Sequence, residues 1–359
     1  MERTLFLTGF PGFIATRLAA RLLADDPQAR LVALAEPRMA ERARAVASAM
    51  DAAERIEVVT GDITDRRLGL ESTDWHRLTA RVTQVLHLAA IYDLAVPAEL
   101  AERVNVEGTK HVIGFCRACP NLERFDYVST AYTAGLRSGR VMEAELAAGQ
   151  GFKNHYESTK FAAEVAVRGS MDAVPTAIYR PAIVVGDSQT GETQKFDGPY
   201  YLLRLISLCA RLHLPIPQIG RGDALFNVVP VDFVVEAMAV ASRDGAVLGR
   251  TLHLTDPDPV RSADLLRVLA REYAGREPWL RLPPALVERS LAYEPVRRLL
   301  AGTPRESLVY LNHPVTFDTT NATRLLGAHG LACPRFEDYA PNIVRFFRAH
   351  EADPALGPA

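Results

Sequence analysis

The stretch LFLTGFPGFIATRLAARLLADD, residues 5–26, runs from a short apolar segment through a glycine-bearing turn into a helical pattern. The apolar run over 5–9 reads as a strand, and TRLAARLLADD, with apolar residues three and four apart, as a helix. Between them Gly9, Gly12 and Ala15 stand in a GxxGxxA spacing. Gly9 permits a tight turn, Gly12 lets a pyrophosphate approach the backbone, and the small Ala15 lets helix and strand pack closely. The turn formed by Thr8, Gly9, Phe10, Pro11, Gly12, Phe13 and Ile14 is therefore a candidate dinucleotide cradle. Free N–H groups and the helix dipole favour an anion there.

The same alternation continues along the chain. LVALA (31–35), IEVVTGD (56–62), VTQVLHLAA (82–90), RFDYVST (124–130) and TAIYRPAIVVG (176–186) read as strands. MAERARAVASAM (39–50), NVEGTKHVIGFCRAC (105–119) and about 155–169 read as helices. Nearly continuous apolar strands between helices predict an α/β, Rossmann-like, doubly wound parallel sheet. After Gly186 the rhythm breaks into a polar loop, DSQTGETQKFDGPYY, followed by an apolar helix over about 200–212. FNVVPVDFVVEAMAVA (226–241) and RTLHLTD (250–256) read as a return to the sheet. The expected organisation is a dinucleotide-binding domain over 1–186 with 226–256 returning to it. A smaller, mostly helical substrate-binding cap would then comprise 187–225 and 257–359.

Basic and acidic side chains nearly balance, 41 against 43, for a net charge of -2 over 359 residues. That balance gives no general reason to expect a nucleic-acid partner. The longest apolar stretch, YYLLRLISLCARLHLPIP, is interrupted by Arg204, Arg211 and His213, so no transmembrane segment is expected. MERTLFLTGF lacks a secretory pattern, and the expectation is a cytoplasmic protein. Cys116 and Cys119 form a CxxC, but no second ligand pair stands at metal-binding spacing. Core packing is the reading for them, and no metal is expected.

At the end of the second strand, Glu36 and Arg38 pull in opposite directions. An acid there binds ribose hydroxyls and disfavours a 2′-phosphate, whereas Arg accepts it, so NAD and NADP both remain open. Asp62 and Ile63 in GDIT, and Ala89 and Ala90 in HLAAIYD, close the third and fourth strands, where cofactors lie in open α/β sheets.

NHYESTKFAAE (154–164) puts Tyr156 and Lys160 on one helix face. A phenol near its ordinary pKa of about 10 is a weak acid, and a neighbouring ammonium would bring it closer to neutrality. Ser129 and Thr130 end the preceding strand, where a hydroxyl could hold a substrate carbonyl. Tyrosine, lysine and hydroxyl beside a nicotinamide make up a hydride-transfer site.

Together, TGFPGFIA, GDIT, HLAAIYD, RVNVEGTKHV, YVSTAYTAG, HYESTKFAAE, YRPAIVVGD and NVVPVDFVVEA, spread over residues 4–237, resemble the extended short-chain dehydrogenase/reductases. The resemblance implies Tyr156 as proton donor, Lys160 as the cation that tunes it and Thr130 as catalytic hydroxyl, with Ser129 as its neighbour. It implies Asn105 as the asparagine of a proton path, and Pro181, Ala182 and Val184 as contacts on the nicotinamide side. VSTAY, YESTKFAAE, RPAIVVGDSQTGET and HPVTFDTTNATRLL are most like the fatty acyl-CoA reductase and thioester reductase branch. That branch implies hydride delivery to an acyl thioester on CoA or a carrier protein, giving an aldehyde and in some members the alcohol. The wider family also contains reductases of simple ketones, aldehydes and secondary alcohols, and a cofactor-sensing protein without chemistry is a third reading. Tyr200, Leu203, Ile206 and Leu208 could line an acyl chain or pack in a core. Arg289, Arg297 and Arg298, within 281–305, could meet a CoA or carrier phosphate or a membrane surface, or form a solvated face.

Overall fold

In β1 (Thr4–Thr8) successive side chains go to opposite faces of a sheet. Leu5 and Leu7 enter one core with Leu18, Ala19 and Leu22 of α1 (Phe13–Asp25). Phe6 enters a second core on the other side, with Val112 and Phe115 of α5 (Gly108–Ala118). The same division recurs in β2 (Arg30–Ala35): Leu31, Ala33 and Ala35 face the α1 side, Val32 and Leu34 the α5 side. Burial on both faces explains why these strands read as continuous apolar runs rather than as alternating ones. The structure is a computed structural model that describes residues 3–92, 96–283, 289 and 310–357.

The main sheet has seven strands in the order β11-β7-β5-β4-β1-β2-β3. The remaining strands are β3 (Ile56–Thr60), β4 (Gln84–His87), β5 (Arg124–Val128), β7 (Thr176–Pro181) and β11 (Thr251–Leu254). Every pairing among them is parallel. The chain steps outward from β1 to β2 and β3, then crosses to β4 on the other side. The carboxyl ends of β1 and β4 therefore flank the switch point where a crevice opens.

Three elements differ from the sequence reading. The strand expected over 176–186 is divided. β7 ends at Pro181, which has no N–H to carry a ladder on, and β8 (Ile183–Val185) pairs instead with β10 (Val228–Pro230). The helix expected over 105–119 is α-helical only from Gly108. Before it, α4 (Ala98–Ala101) leads into a π-helical turn over Glu102–Glu107. A helix without a counterpart in the apolar pattern, α3 (Ser72–Arg81), turns little more than Leu78 and Thr79 inward.

Beyond β8, α7 (Tyr200–Arg211), α9 (Ser262–Ala274) and α11 (Phe336–His350) close a further core around Leu203, Leu269, Tyr339 and Phe347. Between α9 and α11, α10 (Thr320–Gly327) instead packs toward the α1 face through Leu325 and Leu326. Tyr200, Leu203 and Ile206 are buried inside the further core. Apart from Arg281–Pro283 and the exposed Arg289, the arginine-bearing 281–305 stretch lies outside the described residues. Among the described residues no helix is long and apolar enough to cross a membrane.

Candidate active site

The crevice at the switch point is one cavity of ≈ 1040 Å³. The turn at Thr8–Ile14 floors it; Glu36, Arg38, Asp62 and Ile63 line one end, and Ala89 and Ala90 the wall. Ser129, Thr130, Tyr156 and Lys160 line it as well, as do Pro181, Ala182 and Val184. The cavity continues past Tyr156 to Leu202, Leu205, Phe226 and Leu282. The four residues considered for an acyl lining do not face it. It is the adjacent Tyr201, Leu202 and Leu205 of α7 that do.

The backbone around the turn leaves no room for side chains at either glycine. Gly9 has φ +89°, and a Cβ there would lie 2.8 Å from the Ala89 nitrogen; at Gly12 it would lie 2.7 Å from the Gly9 carbonyl. Both glycines are required by close backbone approach, and the first turn of α1 carries no acidic residue. The turn is pinned from behind by a buried relay. Ala89 N donates to Thr8 Oγ1 (3.1 Å), which contacts His87 Nδ1 (2.7 Å), while His87 Nε2 contacts Thr109 Oγ1 (3.1 Å). Thr109 spends its proton on the Asn105 carbonyl at 2.6 Å, so it accepts from His87 Nε2–H, and Nδ1 accepts from Thr8. Burial, with the Lys160 charge adding to it, lowers the His87 pKa to about 3, which keeps the ring neutral.

At the nucleotide end, Glu36 and Arg38 pair with each other at 2.7 Å. Arg42, one helical turn beyond in α2 (Ala40–Ser48), also lines the cavity, and among the described residues it has no ion-pair partner. The sequence reading missed it, although its spacing of four from Arg38 put it on the same face.

Asn154 caps α6 (His155–Arg168), its side chain accepting from Glu157 N at 2.9 Å, so the helix begins immediately before Tyr156. Thr130 accepts from Tyr132 N at 3.2 Å, and both Thr130 and Tyr156 line the cavity. Ser129 turns the other way and donates to Glu164 at 2.7 Å, so its hydroxyl is not available to a ligand. Burial works against the Glu164 charge, but Arg180 at 2.7 Å, Arg168 and the Ser129 hydroxyl together outweigh it and hold the carboxyl below its ordinary value.

Lys160 donates to the Val128 carbonyl at 2.7 Å and stands 4.5 Å over the Tyr127 ring. Burial lowers its pKa to about 7, against the pull of Glu164. Among the described residues the Lys160 amine is directed to Val128 and Tyr127 rather than to the phenol. Burial raises Tyr156 above its ordinary value, with the Thr130 hydrogen bond opposing and the Glu157 charge adding to the rise. The ammonium is committed to Val128 and Tyr127, and the tyrosine stays a protonated phenol, the state a proton donor needs.

Asn105 lies outside the cavity wall. It accepts from Ile91 N at 2.9 Å and donates to Thr159 Oγ1 at 3.0 Å. It thereby ties the end of the β4 segment to the helix turn between Tyr156 and Lys160.

Three further tyrosines complete the wall. The ring of Tyr92 meets Tyr156 edge-on at 5.1 Å, and Tyr132 meets Tyr310 edge-on at 5.0 Å. Tyr310 donates to Glu157 Oε1 at 2.7 Å and accepts from Asn154 at 2.9 Å. Buried Lys153 joins the same carboxylate at 3.1 Å and the Gly135 carbonyl at 2.7 Å. Tyr92 and Tyr132 lie within motifs that the sequence reading used for other residues. Nothing local marked Tyr310. Among the described residues no cluster of His, Cys, Asp and Glu could hold a metal.

The male sterility protein family matches residues 7–238. The non-canonical nonribosomal peptide synthetase FrzA of Cladobotryum sp is 30% identical over 90% of this chain and 34% of its own length. The L-2-aminoadipate reductase large subunit of Eremothecium gossypii is 28% identical over 66% of this chain and 19% of its own. The chain thus spans about a third or less of these relatives. In fold it is similar to the terminal R domain of the myxalamid PKS-NRPS pathway, with a TM-score of 0.82 at 24% identity, covering 99% of this chain and 92% of that one. A glycine turn at the switch point and a Thr130–Tyr156–Lys160 constellation lie within the matched residues. The chain therefore belongs to the NAD-binding male sterility protein family, within the thioester reductase branch of the extended short-chain dehydrogenase/reductases.

Proposed function

We propose that the chain is an NADPH-dependent reductase of acyl thioesters, borne by CoA or a carrier protein, releasing aldehyde and thiol. The observation that carries this reading is the single cavity joining the dinucleotide turn to Tyr156 and then to the apolar surface of Leu202, Leu205 and Phe226. A long acyl chain has room there while its carbonyl lies between Thr130 and Tyr156.

A bound reduced nicotinamide supplies a hydride to the carbonyl carbon. Thr130 and Tyr156 donate hydrogen bonds to the carbonyl oxygen, where negative charge develops, and Tyr156 passes its proton to it. The resulting hemithioacetal returns its hydroxyl proton to the Tyr156 phenolate and collapses to aldehyde as the carbon–sulfur bond breaks, and the thiolate leaves as thiol after taking a proton from solvent. Lys160, one helical turn beyond Tyr156, lines the same cavity, and its amine would lie beside the bound cofactor. NADPH is the favoured donor because the Glu36 charge is neutralised by Arg38, which leaves Arg42 to meet a 2′-phosphate.

The test mixes purified protein with NADPH and a long-chain acyl-CoA, following loss of reduced cofactor and trapping the aldehyde. Stoichiometric aldehyde and free thiol support the reading. Turnover of aldehydes or ketones with none of any thioester overturns it.

A further inference from the structure

α7 ends in a fixed turn that leaves two leucines open to solvent. His213 takes a left-handed φ of +55°, where glycine is usual, and the turn closes through His213 N to the Ala210 carbonyl at 3.3 Å and Leu214 N to the Cys209 carbonyl at 2.8 Å. An apolar residue at the place of Leu214 ordinarily packs back on its helix, yet Leu214 is 49% exposed and Leu212 54%. Just beyond, β9 (Pro217–Ile219) pairs in parallel with β12 (Leu280–Leu282), Pro217 opposite Leu280. Carried back one residue, that register sets Trp279 beside Ile216, so the backbones at Trp279 and Leu214 stand within roughly 10 Å of one another. Trp279 is 73% exposed, the most open large apolar side chain among the described residues.

Charge is unevenly spread around these apolar tips. Arg211 pairs with Glu351, Arg221 with Asp223 and Arg271 with Glu277. Arg276 and Arg281, on either side of Trp279 in the chain, are exposed and have no ion-pair partner among the described residues. With Glu277 taken by Arg271, the strip 276–282 keeps two uncompensated positive charges beside its indole. We propose that this corner docks the chain on an anionic lipid surface, with Trp279, Leu212 and Leu214 entering the interfacial layer and Arg276 and Arg281 meeting head-group phosphates. An indole settles at head-group depth, and guanidinium groups are drawn to the negative leaflet around it. The apolar tips stand on two separate connections rather than on one broad face. That suits a fluid layer, whereas a protein partner needs a contiguous, shape-matched patch. Pro217 and Leu282 of the same strand pair also line the cavity, so docking brings its apolar part close to the lipid.

The experiment mixes the purified chain with vesicles of phosphatidylcholine alone, or of phosphatidylcholine and phosphatidylglycerol in equal parts. Partition is read by co-sedimentation and by indole emission. The chain has two tryptophans, and Trp75 packs edge-on against Phe115 in the α5-side core, so a blue shift on vesicles reports Trp279. Partition onto the anionic vesicles is expected to be at least ~10-fold stronger than onto the neutral ones. Arg276→Gln combined with Arg281→Gln should weaken it ~30-fold, about fivefold for each charge lost near the surface. Trp279→Ala should weaken it ~10-fold, for one aromatic side chain no longer buried. Thermal melts confirm that these exposed substitutions leave the fold intact. Equal partition onto both vesicle types, or anionic binding unaltered in the variants, overturns the proposal. So does self-association without vesicles that Trp279→Ala abolishes, which gives this corner to a second copy of the chain.

Discussion

The hydroxyl of Ser129 donates to the carboxylate of Glu164 at 2.7 Å, while that of its neighbour Thr130 turns into the cavity toward Tyr156. Adjacent positions at a strand end point to opposite sides, so two hydroxyls in sequence do different work. Thr130→Ala is expected to lower kcat ~10- to 1,000-fold, the range for losing one hydrogen bond to a developing oxyanion. Ser129→Ala should leave kcat within a few-fold while lowering stability by about 1–3 kcal/mol, the usual cost of a buried acceptor left short of a donor. Steady-state kinetics and denaturant melts on the two variants separate these effects, and a greater kcat loss in Ser129→Ala would reverse the assignment.

Removing the phenolic hydroxyl alone tests the proton donor. Tyr156→Phe keeps the edge contact with Tyr92 and the burial of the ring. Turnover should fall by at least ~100-fold, the lower end for general acid catalysis, with cofactor affinity little changed. Fluorescence titration with NADPH beside single-turnover kinetics checks both halves.

Cofactor choice should reside in Arg42 more than in Arg38, because Arg38 is already paired with Glu36. Arg42→Ala is expected to raise the KM for NADPH ~10-fold, as for one lost charge-assisted contact, with little change for NADH. Glu36→Gln releases Arg38 and should shift preference further toward NADPH. Parallel KM measurements with both cofactors decide the matter.

Lys160 ties stability to pH. Its folded-state pKa of about 7 lies below its ordinary 10.5. Between those values the unfolded chain holds a proton that the folded chain has released, so this group's contribution makes stability rise with pH across the window. Its full cost is present below pH 7. Lys160→Met should therefore raise the melting temperature more at pH 6 than at pH 9, even as it impairs catalysis. An equal gain at both values would show that the buried amine is not depressed.

The glycine turn, the strands on either side of it and the Thr130–Tyr156–Lys160 group could be read from sequence because each is set within a few residues by backbone geometry or helix spacing. The split of 176–186 into β7 and β8 was hidden, since Val and Ile suit any sheet and only the lost donor at Pro181 hints at the change of partner. The four apolar positions of α7 were legible as a stripe, but a stripe does not say which neighbouring residues face a cavity instead. Tyr310 was out of reach for another reason: it is brought to α6 from about 150 positions away.

Glu157, next to Tyr156, receives Tyr310 and Lys153 on the opposite side of the helix start. The first turn of α6 is thus shared property: one residue faces the cavity, and the next anchors Tyr310 in its wall. For anyone recombining such proteins, this sets the unit of exchange. Grafting a foreign C-terminal segment onto this sheet will carry its specificity along only when the tyrosine at 310 and the acid at 157 are transplanted as a pair, because otherwise the graft disturbs the helix start that aims Tyr156.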